Sequence, residues 1–238
     1  MLIDIHTHIL PGLDDGAKDM QESLELLRIA ERQGIRGVIA TPHASPQFPA
    51  ASAEKILSMT EELQRKAREM GSRCVIYPGE EIMYREGVFE ELQSGRLLTL
   101  AQSDYVLLEF HYQVPYSELR RVVREAVRHG YRPVLAHIER YGCLREGGRL
   151  QEISADGAYL QMNFASLTGH WYSGEVSWCR QAVRQELIHF LATDMHSRTV
   201  RRPSAAEPLL WLNRRVEPRY LKKILSGNAR KVLNNERI

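Results

Sequence analysis

Two short patterns in the 238-residue chain set chemistry-bearing side chains two residues apart: His6-x-His8 near one end and Asp194-x-His196 near the other. In an extended segment, residues two apart point the same way, so both members of each pair can reach one ion. A lone His-x-His is a weak signal, but this one has company. His43 stands in ATPH, Glu80 and Glu81 in PGEE, Glu109 in LLEF, and His137 in LAHIER. Each follows a short apolar run, and five of the nine histidines fall in such places. Histidine and carboxylate donors without thiolate suit manganese, iron, zinc or magnesium and not an iron–sulfur cluster. A carboxylate such as Glu81 can bridge two ions. A cluster of two or three ions stabilises attacking and leaving oxygens together and supplies a hydroxide at neutral pH. The chemistry expected is metal-assisted hydrolysis.

The other four histidines, His111, His129, His170 and His189, read as ordinary residues, with His111 and His170 near loops that could touch a substrate. One competing pattern is Cys143-Leu-Arg-Glu-Gly-Gly-Arg149, which has the C-x5-R spacing of cysteine-dependent phosphatases. Such a loop must run directly from a strand into a helix with its thiolate stabilised. Here the preceding strand ends before His137, so the sequence places Cys143 in a later loop.

The elements needed to position these groups are legible as alternating patterns. Apolar runs at Leu2–Ile5, Gly37–Thr41, Cys74–Tyr77, Tyr105–Glu109, Pro133–Ala136, Ala158–Met162 and His189–Ala192 predict seven strands, apolar on both faces as buried parallel strands are. Helical spacing predicts helices over Met20–Gln33, with Asp19 as N-cap and Gly34 as stop, over Ser52–Met70 without a full capping box, and over Tyr116–His129. Weaker patterns cover Arg149–Ala155 and Trp178–Glu186. Ala205–Asn235 reads as two or three helices broken near Pro218 and Gly227. Strands alternating with helices imply a parallel sheet. At this length a closed or nearly closed α/β barrel is expected, as a single domain over residues 1–238. Every candidate ligand then falls at the C-terminal end of a strand, where such barrels build their sites. The stretch 42–51 reads as a loop over that site.

Composition sets bounds on function. Lys plus Arg number 32 against 30 Asp plus Glu, for a formal charge of +2, which gives no basis for a nucleic-acid-binding surface. Arg120, Arg121, Arg124 and Arg128 read as a solvated helix face, with docking of an acidic partner tail as the alternative. No apolar stretch of about 18 residues predicts a membrane span. The start MLIDIHTH lacks the shape of a secretory signal. Three widely spaced cysteines predict no disulfide framework, so a cytoplasmic protein with reduced thiols is expected.

The blocks IDIHTHILPGLDDGAKD, GIRGVIATPH, PGEEI, LLEF, LAHIERY and LATDMHS resemble, in order, those of the polymerase and histidinol phosphatase (PHP) superfamily. Within it they resemble the bacterial manganese-dependent protein-tyrosine phosphatases of the CpsB/YwqE type, over residues 2 to about 203. The resemblance implies a distorted seven-stranded TIM-like barrel and a manganese site of two or three ions, with iron, zinc or magnesium as alternatives. It implies that His6, His8, Glu81 and Asp194 hold one ion. Glu81, Glu109 and His137 would hold a second, and Asp15, His43 and His196 a third. Asp14 and Glu80 are left as neighbours without a role. Arg140 matches a phosphate-binding arginine. Arg201 or Arg202 matches a second, and ungapped spacing from Asp194 favours Arg201. Asp15, His43, Arg140 and Arg201 are the implied catalytic residues.

The resemblance further implies hydrolysis of phosphotyrosine, on the C-terminal tail of a bacterial tyrosine autokinase that controls capsular or exopolysaccharide synthesis. Hydroxide would attack phosphorus in line with the tyrosyl leaving group, with no protein nucleophile. The residues themselves point to a phosphate ester and leave the alcohol open. A small-molecule phosphatase of the histidinol-phosphate kind, or a nuclease, keeps the same metals. A non-catalytic metal-binding regulatory module would be expected to lack ligands, and none of the nine positions is lost.

Overall fold

The computed structural model describes residues 2–48, 51–170 and 173–238. Residues 49 and 50 of the predicted 42–51 loop lie outside them. Among the described residues nine parallel strand segments carry the chain: β1 (Leu2–Thr7), β2 (Ile35–Ala40), β3 (His43–Ala44), β4 (Val75–Pro78), β5 (Glu81–Met83), β6 (Tyr105–Glu109), β7 (Arg132–Leu135), β8 (Tyr159–Asn163) and β9 (Phe190–Ala192). One sheet has the order β1-β2-β4 and the other β3-β5-β6-β7-β8-β9. The additional segments β3 and β5 continue β2 and β4 across the breaks at Thr41–Pro42 and Gly79–Glu80. The Thr41 amide still donates to Thr7 O at 2.8 Å, and the Glu81 amide to Pro42 O at 3.1 Å. The parallel sheet curls until its last strand meets its first. Thr7 bridges Met195, the His8 amide donates to Met195 O at 2.9 Å, and the Asp194 amide to His6 O at 3.0 Å.

The curl makes two apolar layers from one set of strands. Ile3, Ile5, Ile39, Tyr105, Leu107, Val134, Phe190 and Ala192 pack together inside it. Their neighbours Leu2, Val38, Val106, Leu108, Leu135, Leu160 and Leu191 pack outward against helices. This two-sided burial explains the strands' nearly continuous apolar runs.

The helices are α1 (Met20–Arg32), α2 (Ala53–Glu69), α3 (Val88–Gln93), α4 (Tyr116–Arg128), α5 (Arg149–Ala155), α6 (Gly174–Arg184), α7 (Ala206–Arg215), α8 (Pro218–Lys222) and α9 (Asn228–Leu233). Asp19 caps α1 by accepting from the Glu22 amide at 2.8 Å, and Ser52 caps α2 through the Lys55 amide at 3.2 Å. On α4, Leu119, Val122, Val123 and Ala126 form the buried stripe. The helix predicted at Trp178 begins four residues earlier, because Val176 already belongs to its buried face. The short α3 carries too few residues for a periodic signal. Pro218 opens α8 at its first turn, as expected. Gly227 is no break: Lys223–Gly227 is a π-helical turn joining α8 to α9. That turn lets Ala229 and Val232 close the inner layer. Among the described residues no helix is long and apolar enough to cross a membrane.

Candidate metal centre

The inner layer stops where the polar residues begin. The register of β1 against β2 shifts between Asp4 and Thr7, where Ile3 and Ile5 give way to His6 and His8. Such irregularities re-aim side chains at strand ends. The result brings the Nε2 atoms of His6 and His8 to 3.1 Å from each other. His6 Nε2 lies 3.2 Å from Glu81 Oε1 and 3.5 Å from Asp194 Oδ1. His8 Nε2 lies 3.3 Å from Glu81 Oε2 and 3.4 Å from Asp194 Oδ1. His137 Nε2 sits 2.9 Å from Glu81 Oε1 and 3.3 Å from Glu109 Oε1. Asp15 Oδ1 is 3.5 Å from His43 Nε2 and 3.2 Å from His196 Nε2. All nine sequence candidates therefore converge, and Glu81 touches both of the inner groups. Distance also groups His8 with Asp15, His43 and His196, and His43 with Glu81 and Glu109. The nine form one continuous cluster rather than three separate pockets.

The cluster grades from buried to open. The His6 and Glu81 side chains are 0% and 1% exposed, whereas Asp15, Arg140 and Arg201 are 41%, 41% and 36% exposed. The arginine side is thus the open side of the cluster. Arg140 Nη2 donates to Asp194 Oδ2 at 3.0 Å, and Arg201 Nη2 to Asp15 Oδ2 at 2.8 Å. Both guanidiniums line a cavity of about 420 Å³ with Asn163, Ser166 and Asp194. Arg202 is exposed on the same wall without a bond to Asp15 or Asp194, so the structure brings Arg201 to the cluster. His111 and His170 are both exposed.

Asp14 is not a bystander, contrary to the sequence expectation. Its Oδ2 binds His8 Nδ1 at 2.7 Å and accepts from the His43 amide at 2.9 Å. The turn carrying it presses on β1: a Cβ at Gly16 would lie 2.2 Å from His8 O, so only glycine fits there. Glu80 does turn away, accepting from the Leu98 amide at 2.5 Å. Gln161 and Asn163 were also missed. Their signal was available, since Gln161-x-Asn163 on β8 repeats the two-residue spacing of His6-x-His8 and Asp194-x-His196 with uncharged amides.

The electrostatics are those of histidines crowded against carboxylates, with several acceptors left facing one another. Burial opposes charge on His8, but the bond to Asp14, with Asp194 and Glu81 beside it, more than offsets this and holds its pKa well above the ordinary value. Burial likewise opposes charge on His137, yet Glu109 and Glu81 raise it to about 9. Burial and the neighbouring His8 charge push His196 down to about 2. Its Nδ1 donates to Asp194 O at 2.8 Å, so the neutral ring presents a bare Nε2 lone pair to Asp15 Oδ1. That Nε2 has no hydrogen-bond partner. His43 Nδ1 and Glu81 Oε2 approach to 2.9 Å without hydrogen-bond geometry, and both are otherwise unpartnered. Buried polar atoms are rarely left so. Facing acceptors are what divalent cations require, and the donor set fits them.

The C-x5-R pattern is structural. Cys143 sits in a 3₁₀ turn, Arg149 donates to its carbonyl at 2.7 Å, and burial raises its thiol pKa, the wrong direction for a nucleophile.

Residues 2–234 match the family described as "Capsular polysaccharide synthesis, CpsB/CapC". The chain belongs to the CpsB/CapC family. Its relatives include the tyrosine-protein phosphatase YwqE of Bacillus subtilis, 32% identical over all of this chain and 93% of that protein. Another is the tyrosine-protein phosphatase CpsB of Streptococcus pneumoniae, 30% identical over the full length of both. A solved structure from work on YwqE and CpsB, described as "unique metal-dependent tyrosine phosphatases", superposes with a TM-score of 0.90 at 30% identity, covering 100% of this chain and 96% of that one. The family match spans all nine candidate residues of the cluster.

Proposed function

We propose that this member of the CpsB/CapC family is a metal-dependent protein-tyrosine phosphatase, acting on the phosphotyrosine tail of a bacterial tyrosine kinase in capsular or exopolysaccharide synthesis. The observation that carries it is the convergence of five histidines and four carboxylates beneath two arginines. The names of the full-length relatives supply the tyrosyl specificity. We take residues 1–238 as one domain and the fold as a seven-stranded barrel, counting β2 with β3 and β4 with β5 as interrupted strands. The closure of the inner layer by α9 supports both. A cytoplasmic location agrees with three free cysteines.

His6, His8, Glu81 and Asp194 are assigned to one ion. Glu81, Glu109 and His137 are assigned to a second, and Asp15, His43 and His196 to a third, with manganese preferred and iron, zinc or magnesium as alternatives. When bound, divalent ions supply charge neutralisation at phosphorus and an acidified water. The chain supplies position. Arg140 and Arg201 are placed to bind the phosphoryl oxygens from the open side and to align the leaving oxygen. Asp15 and His43, beside them, face the reacting centre. Phosphoryl transfer depends mainly on such positioning and charge stabilisation, so no side-chain nucleophile is needed. A phenolate leaves readily without a strong acid.

The test is metal analysis with turnover of a phosphotyrosyl peptide, histidinol phosphate and single-stranded DNA by wild type and His6→Ala. Preferred turnover of the peptide, lost in the variant together with metal, supports the reading. Unchanged turnover in His6→Ala overturns the site, and preference for either other substrate overturns the specificity.

A further inference from the structure

The strand β8 delivers no ligand, yet its last turn of side chains is buried against three of them. Gln161 is 0% exposed and Asn163 7%. Gln161 Oε1 receives the His137 amide at 2.7 Å and contacts His6 Nδ1 at 3.0 Å. The backbone N–H can only donate, so this terminal atom of Gln161 is its oxygen. A contact with that oxygen needs the proton on His6 Nδ1, so the nitrogen this ring can offer a metal is Nε2, which faces Glu81 and Asp194. The other end of the same amide donates to Asn163 Oδ1 at 2.8 Å, which fixes the orientation of Asn163. Asn163 Nδ2 in turn donates to Asp194 Oδ2 at 2.9 Å. With Arg140 on the same oxygen, Oδ1 of Asp194 is the one left toward His6 and His8.

Two of the residues so held have unusual backbones. His137 has φ +32° and Asp194 φ +52°, both in the left-handed region that non-glycine residues avoid. Conformations of this kind persist where surrounding bonds over-determine them. Gln161 bonds the His137 amide itself, and Asn163 bonds the Asp194 side chain.

We infer that Gln161 and Asn163 are a positioning pair: one directional chain of hydrogen bonds that sets the tautomer of His6 and selects the ligating oxygen of Asp194. This rests on the metal-site reading above. Partners of ligands commonly change metal affinity 10–100-fold when lost. Because Gln161 orients Asn163, the two losses overlap.

The experiment measures Mn²⁺ affinity by chelator competition for wild type, Gln161→Met, Asn163→Leu and the double variant, with ¹⁵N NMR of the His6 ring in the metal-free protein. We expect roughly 10–100-fold weaker binding in each single variant. The double variant should lose less than the product of the two. The Nδ1–H form of His6 should be fixed in wild type and Asn163→Leu and lost in Gln161→Met. If Gln161→Met does not fold, Asn163→Leu alone still decides through affinity. Folded variants that bind Mn²⁺ within about twofold of wild type, with the His6 tautomer unchanged, overturn the inference. Failure of the site reading looks different: wild type itself would bind no metal.

Discussion

Asp14 Oδ2 lies 2.7 Å from His8 Nδ1 and also accepts the His43 amide, so one carboxylate sets the aim of two candidate ligand residues. Through that bond the His8 ring turns Nε2 toward Glu81 and Asp194. Asp14→Ala should weaken Mn²⁺ binding by about 10–100-fold. Asp14→Asn keeps an acceptor oxygen and should lose less. Chelator competition on the two variants checks this, and equal affinities across wild type and both variants would remove Asp14 from the site.

Cys143→Ser should leave phosphatase turnover within about twofold of wild type, because its thiol is held protonated and its arginine is spent on a backbone carbonyl. EDTA should abolish turnover, and Mn²⁺ should restore it. Activity that survives full chelation and disappears in Cys143→Ser would reverse the assignment.

The candidate ligands were legible in the sequence because strand-end histidines and acids stand out against apolar runs. The seven predicted strands are all present, since burial on both faces writes itself into each strand. What was illegible depends on geometry without compositional contrast. Pro42 and Gly79 interrupt two strands, and the segments beyond are only two or three residues long. Asp14 looks like Asp15 until the turn is folded, and Gln161 and Asn163 carry no charge to mark them. Arg201 and Arg202 differ only in which one the chain turns toward Asp15. Gly227 reads as a helix stop, but its φ of −61° is helical.

That last turn toward Asp15 separates the two arginines by experiment. Arg201 Nη2 is 2.8 Å from Asp15 and Nη1 is 3.7 Å from Asp194. Losing a charge-assisted contact to phosphate typically costs about 2–4 kcal/mol at a transition state, or about 10²-fold in kcat/KM. Arg201→Ala should fall by about that factor on phosphotyrosyl peptide. Arg202→Ala should fall far less, and the reverse order would exchange their roles.

His189 offers a pH test away from the ligands. It is partly buried, its Nδ1 accepts the Leu160 amide at 3.1 Å, and burial lowers its pKa to about 4. Its unfolded value is near 6.5. Between those values the unfolded chain binds more protons than the folded one, so stability rises with pH across that window. The contribution is complete above about pH 6.5 and lost as pH falls through about 4. It amounts to at most about 3 kcal/mol, less in proportion to the hydration of the exposed edge. His189→Asn keeps an acceptor for Leu160 without a titrating group. Urea midpoints for the two proteins at pH 7 and pH 4.5 should therefore show wild type losing more stability on acidification than the variant. Equal losses in both would mean that His189 is protonated in the fold at little cost.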